Sequence, residues 1–269
     1  FVDGSATAHA ITRVGSVEIR PKSPYDNYEY SSAAHGGSIF IDGSGNDYFD
    51  ATSTTAFDFG TGDFTVEFWM HLYNISGEKI FFETRAGHND AGFLIMLNSG
   101  VIKTLTSGAV RTTGGTSIRT GEWYHVAIVR DSTSLRTYLN GILESGSTSY
   151  STAITSPFNK ARIGARFDGA NTPSGNFSDI RVVKGTAVYT GNFTPPASPL
   201  GAVTNTTLLV QGTDAGIIDK AQACNEIELN GDAKSSTTQT KYLTSSMYFD
   251  GNGDYIHVKP RLTTFYNMT

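Results

Sequence analysis

The sequence predicts an antiparallel all-β sandwich of a dozen or more strands. Three observations predict it. The 269 residues include 29 Gly, 60 Ser plus Thr, 13 Tyr and 16 Phe, a composition of strands and tight turns rather than of helices, which favour Ala, Glu, Lys and Leu. Short apolar runs, punctuated by Gly, Asn, Asp and Ser, recur along the chain and in places alternate with polar residues at period 2. No segment of ten residues carries an apolar period of 3.6. The length suits one large β domain, or one domain and part of another. Aromatic residues at 12% exclude a disordered chain.

Residues 38–40 lead into Ile41-Asp42-Gly43, a strand running into a turn. Phe64-Thr65-Val66-Glu67-Phe68 alternates apolar and polar residues before Trp69-Met70. Residues 79–83 and 92–97 read as two more strands. Residues 123–130 form a long strand, Asp131-Ser132-Thr133-Ser134 a turn, and residues 135–139 the returning strand. Asn140-Gly141 then leads into Ile142-Leu143-Glu144, the strongest short hairpin signal in the chain, because both turn residues accept positive φ. Residues 161–164 and 177–183 complete the set.

Charge narrows the partners. Twenty Lys and Arg against 25 Asp and Glu give −5 and a pI near 5.7. No basic stripe stands out, so nucleic acid is not expected as a partner. The lone cysteine, Cys224, excludes an intrachain disulfide. The longest clean apolar run, Phe93-Leu94-Ile95-Met96-Leu97, is far short of the roughly 20 residues a membrane helix needs, so no membrane partner is expected. The chain opens at Phe1 with neither an initiator Met nor a signal-peptide pattern, and is expected to be a piece of something longer.

Thr194-Pro195-Pro196-Ala197-Ser198-Pro199 packs three prolines into five residues. Such a run cannot continue a central strand and favours an extended connector. A boundary is therefore expected here, with one module over 1–200 and a linker plus the start of a second over 201–269. The residues after the boundary repeat a stretch before it. Ser38-Ile39-Phe40-Ile41-Asp42-Gly43-Ser44-Gly45-Asn46-Asp47-Tyr48 aligns with Ser246-Met247-Tyr248-Phe249-Asp250-Gly251-Asn252-Gly253-Asp254-Tyr255 at an offset of 208 (246 − 38), Asp47 being one extra residue. Phe1-Val2-Asp3 aligns with Ile217-Ile218-Asp219 at an offset of 216 (217 − 1); extra residues near 24–30 of the first copy absorb the difference. The first copy then lacks a counterpart of residues 206–216. Its sheet would have an unpaired edge, which invites pairing. Residues upstream of Phe1, or a Leu208-Leu209-Val210 segment from a neighbour, are expected to complete it.

Several segments in this order resemble the laminin G-like (concanavalin A-like lectin, pentraxin-like) jelly roll: Phe64-Thr65-Val66-Glu67-Phe68-Trp69, then Gly121-Glu122-Trp123-Tyr124-His125-Val126-Ala127-Ile128-Val129-Arg130 running on to Tyr138-Leu139-Asn140-Gly141, then Phe177-Ser178-Asp179-Ile180-Arg181-Val182-Val183-Lys184-Gly185. The continuation Ala187-Val188-Tyr189-Thr190-Gly191-Asn192-Phe193-Thr194-Pro195-Pro196 resembles modules of bacteriophage tail-fibre and virion surface proteins. The resemblance covers about 1–200 and, as a partial copy, 206–258. It implies an antiparallel two-sheet jelly roll and an extracellular or virion location. It also implies a structural calcium near the Asp-Gly turn and the aspartate before Ile-Arg, which are Asp42 and Asp179 here.

Catalytic chemistry finds little footing. A retaining glycosidase needs two carboxylates about 5 Å apart. Glu67 is followed by Phe68 and Trp69 with no partner on its face, and Glu226-Ile227-Glu228 reads as a solvated face. The six His are scattered without a His-Glu-x-x-His motif, and one Cys cannot make a zinc site. No Gly-x-Ser-x-Gly elbow is present. Asp42-Gly43-Ser44-Gly45-Asn46-Asp47 and Asp250-Gly251-Asn252-Gly253-Asp254 place oxygen side chains at positions 1, 3 and 5, which suits calcium. Position twelve is Ser53 rather than Glu, and a metal-free Asx turn fits the same residues. Trp69, Trp123 and Tyr124 read as core between the sheets.

The expected function is a non-catalytic structural or receptor-binding module of an extracellular particle, foremost a phage virion fibre or surface protein. Its partners would be other copies or neighbouring modules and host-surface glycans. A bacterial adhesin, or a glycoside hydrolase of the same superfamily, is the alternative. Ligand recognition is expected on the polar, Gly-containing loops at 86–92 and 167–175.

Overall fold

A computed structural model describes residues 2–6, 9–15, 17–20, 24, 37–44, 46–144, 148–212, 226–230, 234–236, 246–249, 251 and 253–259. Among them the short apolar runs form strands, and no helix occurs. In chain order these are β1 (Val2–Asp3), β2 (Ile11–Val14), β3 (Glu18–Arg20), β4 (Ser38–Ile41), β5 (Tyr48–Thr52), β6 (Phe64–Asn74) and β7 (Lys79–Glu83). Next come β8 (Phe93–Asn98), β9 (Val101–Thr106), β10 (Ala109–Thr113), β11 (Trp123–Asp131), β12 (Ser134–Leu139), β13 (Ile142–Leu143) and β14 (Thr148–Ser149). The last are β15 (Lys160–Ile163), β16 (Ser174–Lys184), β17 (Thr206–Gln211), β18 (Glu226–Asn230), β19 (Lys234–Ser236), β20 (Ser246–Tyr248) and β21 (Tyr255–Lys259).

A ten-stranded sheet runs β1-β17-β16-β6-β11-β12-β13, with β4, β3 and β14 attached at its margins. A seven-stranded sheet runs β10-β9-β8-β7-β15-β5-β2. Every pairing in both is antiparallel. The two sheets form the predicted sandwich. Period 2 sends Phe64, Val66, Phe68, Met70 and Leu72 of β6 and Tyr124, Val126 and Ile128 of β11 into the space between them. There they meet Phe82, Phe93, Ile95 and Leu97 of the facing sheet. Phe64 stacks on Phe59 at 4.2 Å and meets Phe93 edge-on at 5.4 Å. Each such side chain, fully withdrawn from water, contributes about 1.5–3 kcal/mol.

The same alternation corrects the reading of the tryptophans. Tyr124 lies in the core, but Trp69 and Trp123 do not. With Phe68 and Met70 inward, Trp69 must point to the outer face of the ten-stranded sheet. The register Trp123↔His71 puts Trp123 on that face too. There Trp69 packs on His125 at 5.1 Å and Trp123 on His71 at 5.5 Å.

The Asn140-Gly141 hairpin forms as predicted, with φ of 48° and 77° and Leu139 opposite Ile142. Gly141 is required twice over: a Cβ there would also collide with the Phe193 carbonyl oxygen. That close approach leads to the second correction. The proline-rich segment folds back over the outer face instead of leaving as a free connector. Ala187, Tyr189 and Phe193 pack on Ala127, Val129 and Tyr138. Tyr189 and Phe193 stack at 3.6 Å, and the Phe193 N–H donates to the Gly141 carbonyl at 2.9 Å. Proline is compatible with such a strap, which needs no ladder N–H.

The chain then enters β17, which lies between β1 and β16. Val182 faces Leu208, Ile180 faces Val210, and Val2 faces Gln211. The sheet therefore continues past residue 200. Its expected open edge is completed by Leu208-Leu209-Val210 of this same chain, not by a neighbour's. Asp3 secures the join: its carboxylate accepts the Leu209 N–H at 2.9 Å, and the Gly4 N–H donates to the Leu209 carbonyl at 2.8 Å.

A candidate binding surface held by buried ion pairs

On the seven-stranded sheet, Phe49, Ala51, Phe82, Ala161 and Ile163 face the core. Asp50 and Arg162, which alternate with them, face the other way, and Glu83 lies beside Arg162. The register sets Arg162 beside Asp50 on one side and Glu83 on the other. Glu83 is fully buried, and Arg85, Arg162 and Asp50 nearly so. Charges withdrawn from water this far must be paired. Asp50 accepts from Arg162 Nε at 2.8 Å, Arg162 Nη2 at 3.0 Å and Lys160 Nζ at 2.8 Å. Burial alone would raise its carboxyl, but these donors outweigh it and hold Asp50 below the ordinary range. Glu83 accepts from Arg85 Nε at 2.6 Å and Nη2 at 3.0 Å. There burial prevails, and the carboxyl lies above its ordinary range despite Arg85.

Each arginine also reaches a loop. Arg162 Nη1 donates to the Phe167 carbonyl at 2.9 Å, and its guanidinium lies 3.7 Å from the centre of the Tyr48 ring. Arg85 Nη1 donates to the His88 carbonyl at 3.1 Å. The two loops so anchored, 86–92 and 165–173, contain both segments expected from the sequence to line a ligand surface, up to the start of β16. The structure brings them together: the His88 and Phe167 rings meet edge to face at 5.0 Å and 87°. His88, Asn89 and Asp168 are exposed and Phe167 half-buried. Inside the second loop Arg166 clasps Asp168 through two bonds of 2.9 and 2.7 Å, which bring the Asp168 carboxyl down to about 2. Asp168 also accepts the Ala170 N–H, closing the tight turn at Gly169. The result is an aromatic edge flanked by the fixed Asp168 carboxylate and the exposed Asn89 amide. Such a surface can stack on the C–H face of a sugar ring and hydrogen-bond its hydroxyls. Glu83 and the two arginines were not anticipated. Their one signal is charge placed on or just past strands otherwise rich in apolar residues.

A second buried network lies on the outer face of the ten-stranded sheet. Contrary to the sequence reading, Glu67 has partners on its face. Its Oε1 accepts from Arg181 Nε at 2.8 Å and Nη2 at 2.6 Å. Its Oε2 accepts from the Tyr189 hydroxyl at 2.8 Å and lies 3.2 Å from His125 Nε2. Burial would raise the carboxyl, but the His125 hydrogen bond and the Arg181 charge keep it below its ordinary range. Burial and the Glu67 charge raise the Tyr189 hydroxyl. Glu67 has no exposure, both of its oxygens are engaged, and its partners are two bases and a phenol rather than a second acid. That is the chemistry of a latch for the strap, not of a hydrolytic dyad.

Asp42 and Asp179 do not share a site. Asp42 comes directly after Ile41, which pairs with Gly175, whereas Asp179 lies four residues further along β16, roughly 13 Å at strand rise. Asp42 closes an Asx turn, accepting from the Ser44 N–H at 2.6 Å and the Ser44 hydroxyl at 2.8 Å. Asp179, at φ 51° in a β-bulge, accepts from the Ser178 hydroxyl, the Leu200 N–H and the Gln211 amide at 2.8, 2.9 and 2.6 Å. Calcium needs converging oxygen acceptors, whereas donors converge on Asp179. The residues do not fit one ion, and no cluster of three metal-ligating side chains occurs among the described residues.

The fold and its loop surface define a concanavalin A-like, lectin-type sandwich. A family model described as the concanavalin A-like lectin/glucanases superfamily, Laminin_G_3, matches residues 42–187. That is 146 of 269 residues (187 − 42 + 1), and the chain belongs to this family. Among solved structures it is similar to the binding domain of Paraclostridial Mosquitocidal Protein 1 (TM-score 0.53, 15% identity, 70% of this chain and 49% of that one). It is also similar to the binding domain of botulinum neurotoxin serotype G (TM-score 0.52, 15% identity, 70% and 46%). A third similar structure is domain 4 of AbnA, a GH43 extracellular arabinanase from Geobacillus stearothermophilus, in complex with arabinotriose (TM-score 0.49, 16% identity, 67% and 84%). The alignments span about half of the two toxin chains. At such identities the likeness is one of fold. No curated protein matches the chain in sequence.

Proposed function

We propose that this is a non-catalytic glycan-binding module of an extracellular particle, of the phage fibre or virion surface kind, and that it takes its ligand on loops 86–92 and 165–173. The observation that carries the reading is the pairing of exposed His88 with half-buried Phe167, fixed by two buried arginine–carboxylate anchors. Pre-ordered loops spare a ligand the cost of ordering them. The sealed Glu67 supports a non-catalytic role. The particle assignment rests on the resemblance of residues 187–196 and on the sequence repeat; other copies or neighbouring modules of that particle would be its further partners. A glycan array probed with the wild-type chain and with Phe167→Ala tests the reading. The wild type is expected to bind a defined set of glycans. The variant should lose at least about tenfold in affinity, the equivalent of about 1.4 kcal/mol of stacking. No binding by the wild type, equal binding by Phe167→Ala, or cleavage of a bound glycan would each contradict it.

A further inference from the structure

Given the glycan-binding role proposed for loops 86–92 and 165–173, on which this rests, we infer that Asp168 sets their specificity: it admits uncharged glycans and turns away those bearing a carboxylate or sulfate. The charges of the two loops carry this. Between them they contain one lysine or arginine, Arg166, against two acids, Asp90 and Asp168. Arg166 is committed to Asp168. Its Nε and Nη2 donate to the two carboxylate oxygens at 2.9 and 2.7 Å, a bidentate pair that fixes both groups. The cations beneath are committed as well. Arg85 is held by Glu83 and Arg162 by Asp50, and both arginines are nearly buried. Lys160 also donates to Asp50. A further acid, Glu78, reaches the second loop, where its Oε1 accepts from the Asn171 amide at 2.7 Å.

Of these charged groups only Asp168 is exposed. The Arg166–Asp168 pair turns its acidic end to water more than its basic one, with 41% of the Asp168 side chain open against 23% of the Arg166 side chain. Asp168 directly follows Phe167, the ring on which a sugar would stack. The bonds from Arg166 bring its carboxyl down to about 2, so it stays ionised across the neutral range. A sugar hydroxyl can donate to this carboxylate. An ionised carboxylate or sulfate has no proton to give and meets a like charge instead. The two loops offer it no second guanidinium or ammonium in compensation.

The test uses the full chain at about pH 8, above the ordinary histidine range. On the glycan array the bound set should be uncharged, and desialylated glycans should bind better than their sialylated forms. The tightest-binding glycan is then converted to two derivatives. One has its primary alcohols oxidised to carboxylates, and the other is the methyl ester of that product, close to it in shape but without charge. The wild type should bind the ester at least about tenfold more tightly than the carboxylate at low salt. The gap should narrow at about 0.5 M salt, where the charges are screened. Asp168→Asn retains an oxygen for the Ala170 N–H and releases Arg166, so the ratio should fall to about unity or invert. Arg166→Met leaves Asp168 uncompensated and should widen it. Three results would each overturn the specificity while leaving the binding surface in place: equal wild-type affinity for ester and carboxylate, a gap that neither salt nor Asp168→Asn changes, or an anionic tightest-binding glycan that is lost on Phe167→Ala. An array on which the wild type binds nothing removes the surface and the specificity together.

Discussion

Arg181→Met lowers the free energy of unfolding by about 3–5 kcal/mol, because it strands a buried carboxylate. Glu67 has no exposure, and both of its shortest ionic contacts come from this one guanidinium. The same side chain donates to the Gly201 carbonyl at 2.7 Å, so its removal also frees the exit of the strap that covers His125, Ala127 and Val129. Urea denaturation at neutral pH measures the cost. A loss under about 1 kcal/mol, typical of surface pairs, would contradict this role for Arg181. The pH dependence carries a second mark. Glu67 titrates below its ordinary value near 4.5 in the folded protein. Its contribution is therefore present above that value and is lost as the pH falls through the lower, folded-state value. Glu67→Gln removes this part of the acid transition. In the Arg181→Met variant the carboxyl keeps His125 and Tyr189 but loses the Arg181 charge, its value rises, and acidification becomes less costly than in the wild type.

Arg162→Met is the second large effect, and it separates the anchor from the surface it supports. Expected losses are about 2–4 kcal/mol of stability, through the two bonds to Asp50 and the orphaned Phe167 carbonyl. Glycan affinity should fall at least as far as in Phe167→Ala, although Arg162 is nearly buried and meets no ligand. Arg162→Lys should rescue little, because a point charge replaces neither the fork on Asp50 nor the stacking on Tyr48. Arg136→Met is the control. Its pair with Asp131 is partly exposed, and its loss should cost no more than about 1 kcal/mol and leave binding unchanged. A variant that keeps full affinity after losing Arg162 would mean that the loop is ordered by something else.

These two arginines also mark where the sequence stops being legible. Strand existence, the Asn140-Gly141 hairpin and the sandwich class come from patterns within a few residues of each other, and all are observed. Facing is harder. Residues 64–72 carry large apolar groups at Phe64, Phe68 and Met70 but also at Trp69, because the strap turns the outer face of that sheet into a second, smaller core. A strand covered on both sides gives no clean alternation, so Trp69 and Trp123 read as inter-sheet core. The strap itself was hidden by its prolines, which exclude a strand but not a packed segment. Glu67 looked solitary because its partners are 58, 114 and 122 positions away. The pairing of Asp42 with Asp179 came from resemblance, and the register of β4 on β16 separates them. The sequence singled out the loops now proposed to take the ligand by composition alone; what holds them was not legible, since Asp50 and Arg162 are 112 positions apart.

Recognition on the loops at 86–92 and 165–173, held rigid from beneath, has a distinct signature in hydrogen exchange. The wild-type chain is compared with and without the tightest-binding glycan from the array. Backbone amides of those two loops should gain protection together on binding, while the strands beneath them, already ordered, change little. Protection gained instead on the outer face of the ten-stranded sheet around Trp123, with the two loops unchanged, would contradict it.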